Sequence, residues 1–189
     1  MQTKLRQTLA VAALFLCASA HAQMIVHAVS GVVKAVDPHT KTIDVTVENG
    51  NTSSFKLPSD AKVTLDFDNA LRSDATDANK FQQVGDFAVV YYYGFDDNRT
   101  AVAVKDLGKG PFEKIEGTVV TFDKHSRTMT VKDDTGKPET FAFGDHLVVD
   151  LGVSVANGRS YDPHKGYSVR VTYTKSGDKN TAVFIRSRQ

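Results

Sequence analysis

GVVKAVDPHTKTIDVTV, residues 31–47, returns eighty-six positions later as GTVVTFDKHSRTMTVKD, residues 117–133. Gly31 meets Gly117, Val33 meets Val119, Asp37 meets Asp123, His39 meets His125, Thr42 meets Thr128 and Val45 meets Val131. The match runs on through Gly50 and Gly136, Phe55 and Phe141, Val63 and Val149, Leu65 and Leu151. The register then slips by five, and Gly85 meets Gly166, Val90 meets Val171, Tyr92 meets Tyr173 and Asp97 meets Asp178. Thr100-Ala101-Val102 meets Thr181-Ala182-Val183. Chance gives scattered identities, so the chain is an internal duplication. Two copies are too few for a solenoid, which takes at least about three, but each is long enough for a small core of its own.

Within each copy the apolar period is two. Ile43, Val45 and Val47 alternate with Asp44, Thr46 and Glu48, and Val169, Val171 and Tyr173 alternate with Ser168, Arg170 and Thr172. That is the pattern of a half-buried antiparallel strand. Turn signals at Asp37-Pro38-His39-Thr40, Asn49-Gly50, Asp96-Asp97-Asn98, Thr135-Gly136 and Ser176-Gly177-Asp178 separate the runs. Five strands per copy are predicted, with a helix-tolerant segment before the fourth, near Ala70 to Gln83 and again near Val155 to Lys165. The expected fold is all-β: two tandem small five-stranded antiparallel β-barrels, 23–107 and 112–189, joined by the linker Gly108-Lys109-Gly110-Pro111.

The pattern Gly-x-Val-x-x-Val-Asp … Thr-x-x-Val … Gly-Asp-x-x-x-Val from Gly31 to Val90 resembles the small OB-like β-barrel repeats of uncharacterised exported bacterial proteins. The second copy keeps Gly117, Val119 and Asp123 but has Tyr167 after Gly166 where the first has Asp86. The resemblance implies an OB-like strand order. Its residues are those of turns and core, so it implies little about function.

Lys4 and Arg6, then the apolar run 9–16, then small residues to Ala22, have the layout of a secretory signal peptide over 1–22. The run is shorter than the roughly 20 residues that span a bilayer. The protein is therefore expected in the periplasm or secreted, without a transmembrane segment. Cleavage after Ala22 leaves Gln23 first, and cleavage after Ala20 leaves His21 first. Either removes Cys17, the one cysteine, and with it any disulfide or thiolate. Loss of Lys4 and Arg6 leaves 21 cations against 22 acids, which offers no general attraction for nucleic acid. Residues 23–109 carry 9 cations and 12 acids, and residues 110–189 carry 12 and 10, a mild asymmetry that favours the halves docking on each other or associating head to tail.

No nucleophile elbow, phosphate loop or His-Glu-x-x-His occurs, so the chain is read as a non-enzymatic binding or structural module with no cofactor. One alternative is a copper protein using His21, Met24 and His27, or the repeated His39 and His125. The plainer reading of that repeated pair is a hairpin tip closed by Asp37 or Asp123. A weaker alternative is a hydrolase with paired carboxylates. The acidic stretch Asp66-Phe67-Asp68-Asn69, with Asp74 and Asp77, lacks the spacing of an EF-hand calcium loop.

The sharpest signal comes from comparing the fourth strands. Ala88, Val90 and Tyr92 align with Val169, Val171 and Tyr173 as core. The opposite face of the second copy is Ser168, Arg170, Thr172 and Thr174, as water would have it. The same face of the first is Phe87, Val89, Tyr91 and Tyr93. Such a strip needs a cover. Either the cover is internal, from the second barrel, with Phe184 a natural contact, or from the Ala70 to Gln83 segment, or the strip is an interaction surface for a partner protein, a second copy, or a flat apolar or sugar ligand stacking on Tyr91 and Tyr93.

Overall fold

The computed structural model describes residues 26–47, 49–58 and 68–188. The chain forms β1 (His27–Asp37), β2 (Thr42–Val47), β3 (Thr52–Lys56), a short helix α1 (Asn69–Ser73), β4 (Thr76–Asp77), β5 (Phe87–Tyr93) and β6 (Thr100–Asp106). Then follow β7 (Glu113–Asp123), β8 (Thr128–Lys132), β9 (Pro138–Asp150), β10 (Val155–Asn157), β11 (Ser168–Ser176) and β12 (Lys179–Arg188). The all-β architecture is as expected.

The strands make two sheets with one topology. In the second, β7-β8-β9-β12-β11 closes on itself, and β10 lies outside on β9. In the first, β1-β2-β3-β6-β5 takes the same order, with β4 on β6. The order is OB-like. One seam departs from the all-antiparallel expectation: β9 and β12 run parallel, from Asn180 opposite Phe141 to Arg186 opposite Asp150. With five strands in a ring, alternating direction must fail once. In the first sheet the same seam is a single parallel bridge, Lys56 to Thr100, and β4 lies antiparallel on β6 at Ala103 and Val104. The short strands β4 and β10 are additions to the five predicted per copy.

The duplication repeats down to irregularities. A bulge breaks the register between Val33 and Ala35 in β1, and between Val119 and Thr121 in β7. A second falls between Tyr91 and Tyr92, and between Thr172 and Tyr173. Gly31 and Gly117 mark where the first two strands of each copy close on each other. A Cβ there would overlap the carbonyl oxygen of Thr46 or Lys132, with Val45 Cγ1 at 2.7 Å or Val131 Cγ1 at 2.8 Å. Each core holds the same aromatic pair, Phe55 with Tyr92 at 5.0 Å and Phe141 with Tyr173 at 4.9 Å. Around the pairs pack Val33, Ile43, Val45 and Val90 in one copy and Val119, Met129, Val131 and Val171 in the other.

The segment before the fourth strand differs. In the first copy it carries α1, capped by Asp68, which accepts from the backbone N–H of Ala70 at 2.7 Å. In the second it carries β10 instead. Residues 59–67, which include Asp66 and Phe67, lie outside the described residues, as do residues 1–25, which hold the predicted signal sequence 1–22, with His21, and also Met24. Among the described residues no helix is long and apolar enough to cross a membrane.

Candidate functional site

The aromatic strip lies against the second barrel. Val89 and Tyr91 are fully buried in one cluster with Val26, Ala28, Leu71 and Ala103 of the first copy and with Val148 and Phe184 of the second. Tyr93 packs on the edge of that cluster. Phe87 turns to the linker side, where Phe112 stacks on it at 4.6 Å and Lys114 Nζ stands 5.5 Å from its ring centre. The cover of Phe87, Val89 and Tyr91 comes from within the chain, and Tyr93 stays half-buried. Alternation assigns Thr172 to water, yet it is buried where the first barrel packs over it, and its hydroxyl meets that of Ser30 there at 3.4 Å.

Polar bonds frame this apolar contact. Lys105, 5% exposed, donates from Nζ to the His146 carbonyl at 2.7 Å and stands 3.4 Å from Asp74 Oδ2. His146 Nδ1 lies 2.5 Å from the same carboxylate. Arg186 donates from Nη2 to the Ala28 carbonyl at 3.1 Å, and its Nε is 3.3 Å from Asp150 Oδ2. Asn157 Nδ2 donates to Asp68 Oδ2 at 2.7 Å. The His146 contact, helped by Lys105, holds the Asp74 carboxyl below the ordinary aspartate range. Burial pushes Asp150 above that range, against the pull of the Gly152 N–H and Arg186. Burial also lowers Lys105, opposed by Asp74.

The outer face of β7 is open by contrast. A cleft of about 580 Å3 lies over Gly117 and Thr118, between Lys132 and Asp134 on one side and Ser168 on the other. A smaller one of about 230 Å3 adjoins it at Lys114, Ile115, Glu116 and Arg170, and Asn49 of the first copy forms part of its wall. Arg170 bonds Glu116 at 3.1 Å through Nε and at 2.5 Å through Nη2. By the repeat, Lys114 and Glu116 correspond to Ala28 and Ser30. The face sealed in the first copy is thus exposed and charged in the second. Sequence reasoning missed both: the smaller cleft needs Asn49 from the other copy, and the larger lies over a glycine.

The other predicted candidates stand apart from one another. His39 and His125 are exposed, each at a hairpin tip. Asp37 Oδ1 accepts from the N–H of His39 at 2.7 Å and Thr40 at 3.1 Å, and Asp123 Oδ1 accepts from His125 at 2.8 Å and Ser126 at 3.2 Å. These bonds hold both carboxyls below the usual range, the Thr40 and Ser126 N–H groups contributing most. His27 lies between the rings of Tyr92 at 5.6 Å and Phe95 at 5.9 Å. Among the described residues no three His, Cys, Asp or Glu side chains gather as a metal site would require. Several carboxylates serve their own backbone: Asp106 accepts from Gly108 N–H, Asp133 from Lys137 N–H and Asp150 from Gly152 N–H. Asp74 faces Lys105 and the His146 ring, and Asp77 faces Lys80.

These features define the class: an all-β protein of two OB-like barrels made by duplication and packed through one apolar seam. No family model matches the chain, and no curated protein does. Among solved structures it is similar to a crystal structure of Ag(I)CusF, at 13% sequence identity and a TM-score of 0.32, over 40% of this chain and 96% of that one. Similarity at that level bears on neither fold nor ligand.

Proposed function

We propose that this is an exported, non-enzymatic binding or assembly module, a two-barrel scaffold that presents the β7 cleft of its second barrel to a polar partner. The observation that supports it most is the contrast between equivalent faces. The first copy spends its face on the internal seam, and the second, beyond Thr172 and Phe184 at that seam, leaves the β7 side of its own open, with Lys114, Lys132 and Arg170 among the cations and Glu116 and Asp134 among the acids of the two adjoining clefts. A surface of mixed charge suits a partner recognised through hydrogen bonds and ion pairs more than a flat apolar one. Export rests on the N-terminal pattern of Lys4, Arg6 and residues 9–16.

The test is a native mass spectrum of the full chain recovered after export through its own leader, beside Lys114→Glu/Arg170→Glu. A bound species on the first that is lost from the second is the expected result. A bare chain in both, or a species held equally by both, would overturn the reading. The same spectrum shows whether the mature chain starts at Gln23 or His21.

A further inference from the structure

Lys105 and Arg186 occupy one position of the repeat, five residues after Thr100 and Thr181 respectively. Each reaches out of its own barrel and donates to a main-chain carbonyl of the other: Lys105 Nζ to His146 O at 2.7 Å, Arg186 Nη2 to Ala28 O at 3.1 Å. Each is also paired with a carboxylate of its own copy, Asp74 at 3.4 Å and Asp150 at 3.3 Å. One ancestral cation thus crosses the seam twice, once in each direction.

Stability alone does not account for this. Desolvating an ammonium or a buried carboxylate carries a penalty that apolar residues of the same size avoid, and replacing buried ion pairs by such residues is often neutral or stabilising. The seam already has an apolar centre in Tyr91, Val89, Phe184 and Val148. That contact is non-directional, however, and tolerates small rotations of one sheet over another. A hydrogen bond to a fixed carbonyl does not, because it weakens steeply with misalignment and leaves a buried donor unsatisfied.

We propose that Lys105 and Arg186 are positioning residues that select a single docking register between the barrels, and so assemble the composite cleft to which the first barrel gives Asn49 and the second gives Lys114, Ile115 and Arg170. The functional consequence rests on the proposed reading of that cleft, whereas the orientation itself is measurable with no ligand present.

The experiment is residual dipolar coupling of backbone amides in the full chain, with each barrel fitted separately. The wild-type barrels should share one alignment tensor. Lys105→Met/Arg186→Met should remain folded and lose that shared tensor, and Lys105→Arg/Arg186→Lys should keep it. A double methionine variant that keeps the wild-type tensor would overturn the proposal. Loss of the tensor in the conservative pair would do so too, since the effect would then be one of packing. If the double variant does not fold, Arg186→Met, whose side chain is 26% exposed, is read in the same way. Failure of the cleft reading would show in the mass spectrum and leave the couplings unchanged.

Discussion

The fourth strands of the two barrels share a core face and differ on the other. Inward, Ala88, Val90 and Tyr92 do what Val169, Val171 and Tyr173 do. Outward, Val89 and Tyr91 are sealed while Ser168 is exposed and Arg170 bonds Glu116 at the rim of a cleft. The inner face follows from the barrel and had to be conserved between copies for both to close. The outer face was free to diverge, and it diverged toward apolar adhesion in one copy and, in the other, toward a polar strand exposed at Ser168 and sealed only at Thr172. A duplicated small barrel can thereby gain stability without enlarging either core, because each copy becomes the solvent shield of its twin.

The largest effect should come from removing the seam's central aromatic. Phe184 is fully buried between the copies and stands where the first copy has Ala103. Phe184→Ala should destabilise by about 3–5 kcal/mol in denaturant titration, the range for buried aromatic truncations. Tyr91→Ser with Tyr93→Ser attacks the same contact from the other side. If either variant matched wild-type stability, the seam would not be holding the barrels together and the contrast between the faces would lose its meaning.

Next are the two glycines, which test whether the copies are mechanically equivalent. Gly31→Ala and Gly117→Ala each force a methyl group against a strand carbonyl and a valine. Overpacking of this kind costs about 1–3 kcal/mol. Equal losses in thermal or chemical unfolding would confirm that the close approach belongs to the repeat. A much larger loss at Gly31, which is buried behind the seam, would show that the interface adds its own constraint.

Much of this was legible in the sequence, and the reasons are specific. Period-two alternation and matched turn residues carry fold information locally, so the duplication, the strand faces and the unusual strip could be read from it. The parallel seam could not, because it pairs β9 with β12, strands separated by β10 and β11 and matched by no shared motif. Nor could the cleft, whose wall includes Asn49, a turn residue whose role is set by how the copies dock. Thr172 was misassigned to solvent for the same reason: alternation says which way a side chain points, not what another barrel has placed there.

A subtler effect concerns the two carboxylates beside the paired cations. Asp74 sits below the ordinary aspartate value, chiefly through His146, and Asp150 above it, through burial. Their linkage to stability has opposite signs. The contribution of Asp74 is present above the unfolded value and is lost as pH falls through its lower folded one. Asp150 takes up a proton in the folded state before the unfolded chain does, so acidification through its raised value favours the fold. Carboxyl carbon titration by NMR should find Asp150 midpoints above those of Asp74. The reverse order would mean that the Arg186 pair outweighs burial.

The smallest expected effects lie at the hairpin tips, where the repeat is most literal. Asp37 and Asp123 tie their turns in the same way, and Lys41 and Arg127 follow with the same positive φ of 53°. The histidines contribute their backbone N–H to these turns, which any residue but proline can supply. His39→Ala and His125→Ala should therefore each change stability by less than about 0.5 kcal/mol, as surface substitutions away from special features do. Asp37→Ala and Asp123→Ala should each cost more than the histidine change beside them, because they remove the acceptor that two N–H groups share. Zinc or copper(II) added to the full chain supplies the decisive control. If it shifted the His39 and His125 resonances together at stoichiometric metal, the duplication would have preserved a ligand, and the turn would be its scaffold and not its reason.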